Sequence, residues 1–166
     1  MRHSQDTWRL IAQGALLGVL AGLAFALVEV LTSVARGHAP EVPLRMAASV
    51  VLGREALDPL APAVVRGVGI LVHLGLSVVF GALYGAILPT LTGEVREGVT
   101  SQALVGLGFG VFLWLVNFQL IARTEYPWLL GTPQVTQAAI HAACFGLPIA
   151  MGFAAHERRL RRRGDA

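Results

Sequence analysis

Four long apolar stretches limit what this chain can fold into more than any other feature. They run from Trp8 to Val34, Ala63 to Leu88, Ala103 to Ala122 and Val135 to Ala155. A helix needs about 20 mostly apolar residues to cross the hydrocarbon core of a bilayer, and each stretch has that length. In lipid every backbone N–H and C=O must find a partner within the protein, so a lone spanning segment is helical. The expected fold is all-α: a four-helix transmembrane bundle, up-down-up-down. Composition agrees, because 55% of the 166 residues are hydrophobic and only 14% charged. A typical soluble domain is about 25% charged, and a soluble fold with this balance would expose large apolar patches. Arg2 precedes the first stretch and Arg9 lies at its very start, as in an export signal. Its apolar run, however, far exceeds a signal's core of about 7–15 residues and contains Glu29, so it reads as a retained span.

Arginine placement orients the bundle. Arg2, Arg9, Arg96, Arg158, Arg159, Arg161, Arg162 and Arg163 fall on one side, and Arg36, Arg45, Arg54, Arg66 and Arg123 on the other. The excess puts both termini in the cytoplasm. Residues 1–157 then form a single transmembrane domain, and 158–166 a basic cytoplasmic tail. That tail reads as a topology anchor, with the lipid bilayer as partner and no nucleic acid. Cys144 is the sole cysteine, which excludes an internal disulfide and a thiolate metal cluster.

The first outer connection, Arg36 to Pro62, holds more than loop. Pro43 suits a first helical turn, Leu44, Ala47, Ala48, Val51 and Leu52 share one face, and Gly53 can end the helix. Arg45 and Arg54 lie off that face. Such a helix is roughly 16 Å long at about 1.5 Å per residue. That is too short to span, so it is expected to be interfacial or re-entrant. In the second outer connection, Arg123 to Pro133, Tyr126 and Trp128 suit the headgroup boundary.

Two patterns concern packing. Phe25, Ala35, Arg36 and Pro40 recur at constant offset as Phe112, Ala122, Arg123 and Pro127, and His73 has a counterpart in His141. Either two like-oriented hairpins repeat, a plan known in transporters, or apolar segments coincide by chance. Gly14, Gly18 and Gly22, Gly81 and Gly85, and Gly106 and Gly110 recur at helical spacing. Such faces let backbones approach closely, within the bundle or against a partner subunit.

Each span carries one strongly polar residue: Glu29, His73, Asn117 and His141. At helical rise all four lie roughly 6–15 Å below the outer surface, which suggests a shared polar intramembrane site, with Gln119 near its rim. Polar groups in lipid usually face the bundle interior. The layer can be structural, since interhelical hydrogen bonds contribute about 0.6–2 kcal/mol. It can hold haem b or a transition metal, with His73 and His141 as ligands and Glu29 joining them. It can also form a proton, ion or solute path, with Pro148 freeing carbonyls in the fourth span. No nucleophile motif, HExxH pair or phosphate-binding loop is present. His38, Glu41, Glu55 and Asp58 read as solvated loop groups. The favoured reading is a non-enzymatic integral membrane subunit or binding module near the outer face. It could serve a larger membrane complex or a homo-oligomer. The alternatives are a haem- or metal-binding electron-transfer protein and a small transporter.

One region resembles a known group. Pro43-Leu44-Arg45-Met46-Ala47-Ala48, Leu52-Gly53, Leu71-Val72-His73, Leu76-Ser77 and Tyr84-Gly85 are similar to small bacterial four-span membrane proteins of unassigned function. The resemblance implies a bacterial inner membrane, and that the outer helix and His73 belong to one functional surface. Some such proteins carry a solute-symporter label, but this chain is too short for that many-span fold.

Overall fold

The computed structural model describes residues 2–58 and 63–164, with side chains described from Thr7 to Arg159. Pro62 and the far side chains of the basic tail lie outside the described part. Four helices are long and apolar enough to cross a membrane: Thr7–Ala35, Ala63–Thr90, Val99–Thr124 and Gln134–Arg159. Each contains one of the expected stretches, and the described residues include no strand. The chain is therefore an all-α integral membrane protein.

The first span is one helix, α1 (Arg2–Ala35). A short helix, α2 (Val42–Leu52), and a 3-10 turn (Arg54–Leu57) follow it. The second span is α3 (Ala63–Ile87), and α4 (Gly93–Glu97) lies in the loop on the face that carries the termini. The third span comprises α5 (Val99–Trp114), a π-helical turn (Leu115–Ile121) and α6 (Ala122–Thr124). A 3-10 turn (Pro127–Gly131) leads to the fourth span, which comprises α7 (Gln134–Ile140), a second π-helical turn (His141–Gly146) and α8 (Leu147–Gly164).

Glycine seams close each hairpin. A Cβ on Gly81 would collide with the Gly14 carbonyl and the Gly18 Cα, and one on Gly85 with the Leu10 carbonyl. In the second hairpin, Gly106 packs on Gly146 and Ala150, and Gly110 on the backbone of His141 and Ala142. Without a hydrophobic drive between helices in lipid, such close contact supplies the association energy. The opposite face of α1 presents Leu16, Leu20, Leu23, Leu27 and Leu31 outward, all more than half exposed, as a lipid-facing stripe.

Toward the terminal face the bundle is filled solid. Tyr84, Leu88, Phe109, Ile149 and Phe153 form its core, with Tyr84 stacked on Phe153 at 5.7 Å between ring centroids. The Tyr84 hydroxyl donates to Gln102 Oε1 at 2.9 Å, and Gln102 Nε2 donates to the Arg96 carbonyl. Arg96 pairs in turn with Glu157. These bonds satisfy a fully buried amide and tie the α4 loop to the end of the fourth span.

The short helix α2 has the expected ends, with Pro43 in its first turn and Gly53 closing it at φ +83°. Its inward face differs from expectation. Arg45, Ala48 and Ser49 point inward, whereas Val51 and Leu52 are 65% and 44% exposed. Two contacts set this rotation: Ala48 packs with Ala56 and Val65, and the Leu44 backbone rests on Gly69, where a Cβ would collide. Arg45 tolerates burial because Glu41 Oε1 lies 2.9 Å from its Nη2. Arg54 falls just past the helix, exposed in the 3-10 turn.

Candidate functional site

Beneath α2, between the two hairpins, lies a cavity of about 380 Å³. Glu29, His73, Asn117 and His141 all line it, so one polar group from each span reaches a common space. Leu44, Ala47 and Val50 of α2, with Tyr126 and Leu129 from the second outer connection, form the roof. Trp128 ties the two outer connections together by donating its indole N–H to Ser49 Oγ at 3.0 Å.

The histidines are held by backbone carbonyls. His73 Nε2 lies 2.8 Å from the Gly22 carbonyl, and His141 Nδ1 lies 2.7 Å from the Gln137 carbonyl. A carbonyl only accepts, so each of these nitrogens carries the hydrogen. A neutral His73 is then left with a lone pair at Nδ1, and a neutral His141 with one at Nε2. Phe25 packs against both imidazoles, at centroid distances of 5.7 Å to His73 and 4.8 Å to His141. Phe118 adds an edge contact to His141 at 5.7 Å.

Glu29 pairs with neither histidine. Its Oε1 accepts from Gln137 Nε2 at 3.0 Å, a bond between the first and fourth spans. Asn117 lines the cavity, and its amide makes no hydrogen bond to any described residue. Gln119, expected near the rim, faces away from the cavity. Its Oε1 accepts from Arg123 at 2.6 Å, and its Nε2 donates to Gln134 Oε1 at 3.1 Å. Arg36 reaches across to Thr136 Oγ1 at 2.8 Å. Arg45 and Arg54 lie outside the lining.

The possible ligand set of His73, His141 and Glu29 is not gathered around one point. Among the described residues, no group of three or more His, Cys, Asp or Glu side chains could hold a metal ion. The physical reason is that Gly22, Gln137 and Phe25 hold these side chains apart. An axial haem pair also fits poorly, because it needs both imidazoles to aim a bare nitrogen at one iron. Here His73 turns Nε2 onto a backbone carbonyl, and one phenyl ring lies against both imidazoles.

Three site features go beyond the sequence analysis. Gln137, which anchors both Glu29 and His141, sits near the start of its span, where an amide looks like a rim residue. The outer helix serves as a roof over the cavity. Both π-helical turns border the cavity, supplying Asn117 and Phe118 from one and His141 and Phe145 from the other. In each, an amide reaches back five residues, Ala122 to the Asn117 carbonyl and Leu147 to the Ala142 carbonyl. Such turns recur at functional sites. Compared with protein-family models, curated proteins and solved structures, the chain matches none, so the chemistry of this site rests on its own residues.

Proposed function

We propose that the protein is a non-enzymatic intramembrane binding module. Its site is the cavity between the hairpins, and its ligand is a small, mostly apolar molecule with a polar head. The observation that carries this reading is the Asn117 amide, which lines a cavity shared with Glu29, His73 and His141 and has no described partner. A polar layer that served only to join helices would pair its amides across the bundle. The amide is partly exposed to the cavity, so both its donor and its acceptor are open to a ligand's polar head. The cavity also falls within the range of about 300–1,000 Å³ usual for small-molecule sites.

In this reading residues 1–157 form the binding domain, and 158–166 a tail that holds the termini in the cytoplasm of a bacterial inner membrane. The roof lies toward the outer face. The module acts alone, as a homo-oligomer or as an accessory subunit of a larger membrane complex. A second reading, a small solute or ion path, draws on the site's position between two hairpins, where transporters built from repeats bind their substrates. Flux into liposomes that is lost in His73→Ala would favour it.

Asn117→Leu tests the binding reading against a purely structural layer. A site residue without a partner predicts unchanged or raised thermal stability in detergent, together with loss of any ligand mass that co-purifies with wild type. Structural glue predicts a loss of about 0.6–2 kcal/mol, and that result would overturn the proposal.

A further inference from the structure

The donors and acceptors of the cavity narrow the ligand further. Given the binding reading above, we infer that the ligand is a lipophilic ammonium: a protonated amine on an apolar, partly aromatic body. The argument starts from what the lining leaves unpaired. Glu29 gives Oε1 to Gln137, and its other oxygen has no described partner. His73 and His141 each donate one ring hydrogen to a backbone carbonyl, so their remaining nitrogens accept when the rings are neutral. Ser77 donates its hydroxyl to the His73 carbonyl at 2.7 Å, and the Gln137 amide is engaged with Glu29. The donors left are the Asn117 amide and the Tyr126 hydroxyl, and both can also accept.

Charge points the same way. Among the described residues, Glu29 is the one carboxylate in the lining, and no Arg lines the cavity. Arg36 acts on Glu29 from outside the lining while bonding Thr136, and Arg45 pairs with Glu41. An anion would enter an acceptor-rich space beside the Glu29 carboxylate and with no cation in its lining, which is unfavourable away from water. A cation gains a carboxylate and several acceptors. It also meets the rings of Phe25, Phe80, Phe118 and Phe145, whose faces attract cations most strongly when desolvated.

One isosteric series tests this: 4-phenylbutylamine, 4-phenylbutanol and 4-phenylbutyrate, which share a body and differ in the head. Each is titrated calorimetrically into full-length protein in lipid nanodiscs at pH 7, where the alkylamine is protonated, with empty nanodiscs as the blank. The amine is expected to bind at least about tenfold more tightly than the alcohol, and the acid not measurably, since hydrogen bonds to charged groups are the stronger ones. Glu29→Gln keeps an oxygen for Gln137 and removes the charge. It should lower amine affinity about tenfold and leave the alcohol within about twofold. If the alcohol or the acid binds as well as the amine, the ammonium inference falls and the binding site stands. An unchanged amine affinity in Glu29→Gln also refutes the ammonium. If none of the three binds wild type, both readings fail.

Discussion

Two glycines on the same helix give a matched test of what holds the first hairpin together. Gly81 sits in the α1–α3 seam, where an added Cβ would overlap backbone atoms of Gly14 and Gly18. Gly75, earlier on the same helix, has open space around the same atom. Replacing Gly75 by Ala meets nothing and gains helix propensity of up to about 1 kcal/mol. In Gly81→Ala the overlap is with backbone, which cannot rotate out of the way, so the two helices must part. An opening of about 1 Å forfeits a quarter to a half of the dispersion energy of each contact it stretches. Overpacking of this kind costs about 1–3 kcal/mol. Both substitutions gain the same helix propensity, so the two variants should differ by the overpacking cost alone, about 1–3 kcal/mol, with Gly81→Ala the less stable. Reversible unfolding in mixed micelles, titrated with a denaturing detergent and followed by the fluorescence of the three tryptophans, measures the difference. A gap below about 0.5 kcal/mol, well short of the expected overpacking cost, would refute the claim that direct backbone contact closes this hairpin.

Two further predictions concern the outer face. Trp128→Phe keeps an aromatic ring but removes the indole N–H and its bond to Ser49, a bond that contributes about 0.5–1.5 kcal/mol. Amide exchange should quicken within α2 and stay unchanged in α3, whereas equal protection throughout α2 would show that the roof does not depend on this tie. Orientation can be read from single cysteines introduced in a Cys144→Ser background. Glu94 and Glu125 are both exposed and lie on opposite faces, so a membrane-impermeant maleimide added to intact spheroplasts should label Glu125→Cys and spare Glu94→Cys. The reverse pattern would turn the protein over and place the roofed cavity toward the cytoplasm.

The parts of this structure legible in the sequence were those governed by length and by side-chain size. Twenty apolar residues state their own span, and a glycine every fourth residue states where a backbone can approach. The inward face of α2 was not legible, because Ala48 belongs to both candidate faces and the choice depended on Gly69, a residue of another helix. Counting Arg45 as outward assumed a lone cation, whereas Glu41 one turn earlier neutralises it. Helical rise led to the expectation that Glu29, His73, Asn117 and His141 meet, and all four line one cavity, but their partners were not legible. Glu29 bonds an amide 108 residues away, and the two histidines bond backbone carbonyls that no side-chain pattern encodes.

The π-helical turn of the fourth span explains how a polar cavity and an aromatic core share one face of the same helix. Gln137, His141, Phe145, Ile149 and Phe153 recur every fourth residue, and all are buried. A regular helix turns by about 100° per residue, so a four-residue repeat drifts by roughly 40° each time. Over four repeats Phe153 would lie about 160° from Gln137, nearly on the opposite side. One extra residue taken up in a π turn removes about 100° of that drift and returns the column to one face. Pro148 supplies the local cause. It has no N–H for the Cys144 carbonyl, and its ring crowds that carbonyl, so the preceding turn widens. The third span has no proline to mark its own π turn, and its sequence offers no comparable local cause. In the fourth span the repeat and the proline agree, and together they bring Gln137 and His141 to the cavity while Ile149 and Phe153 stay in the core below it.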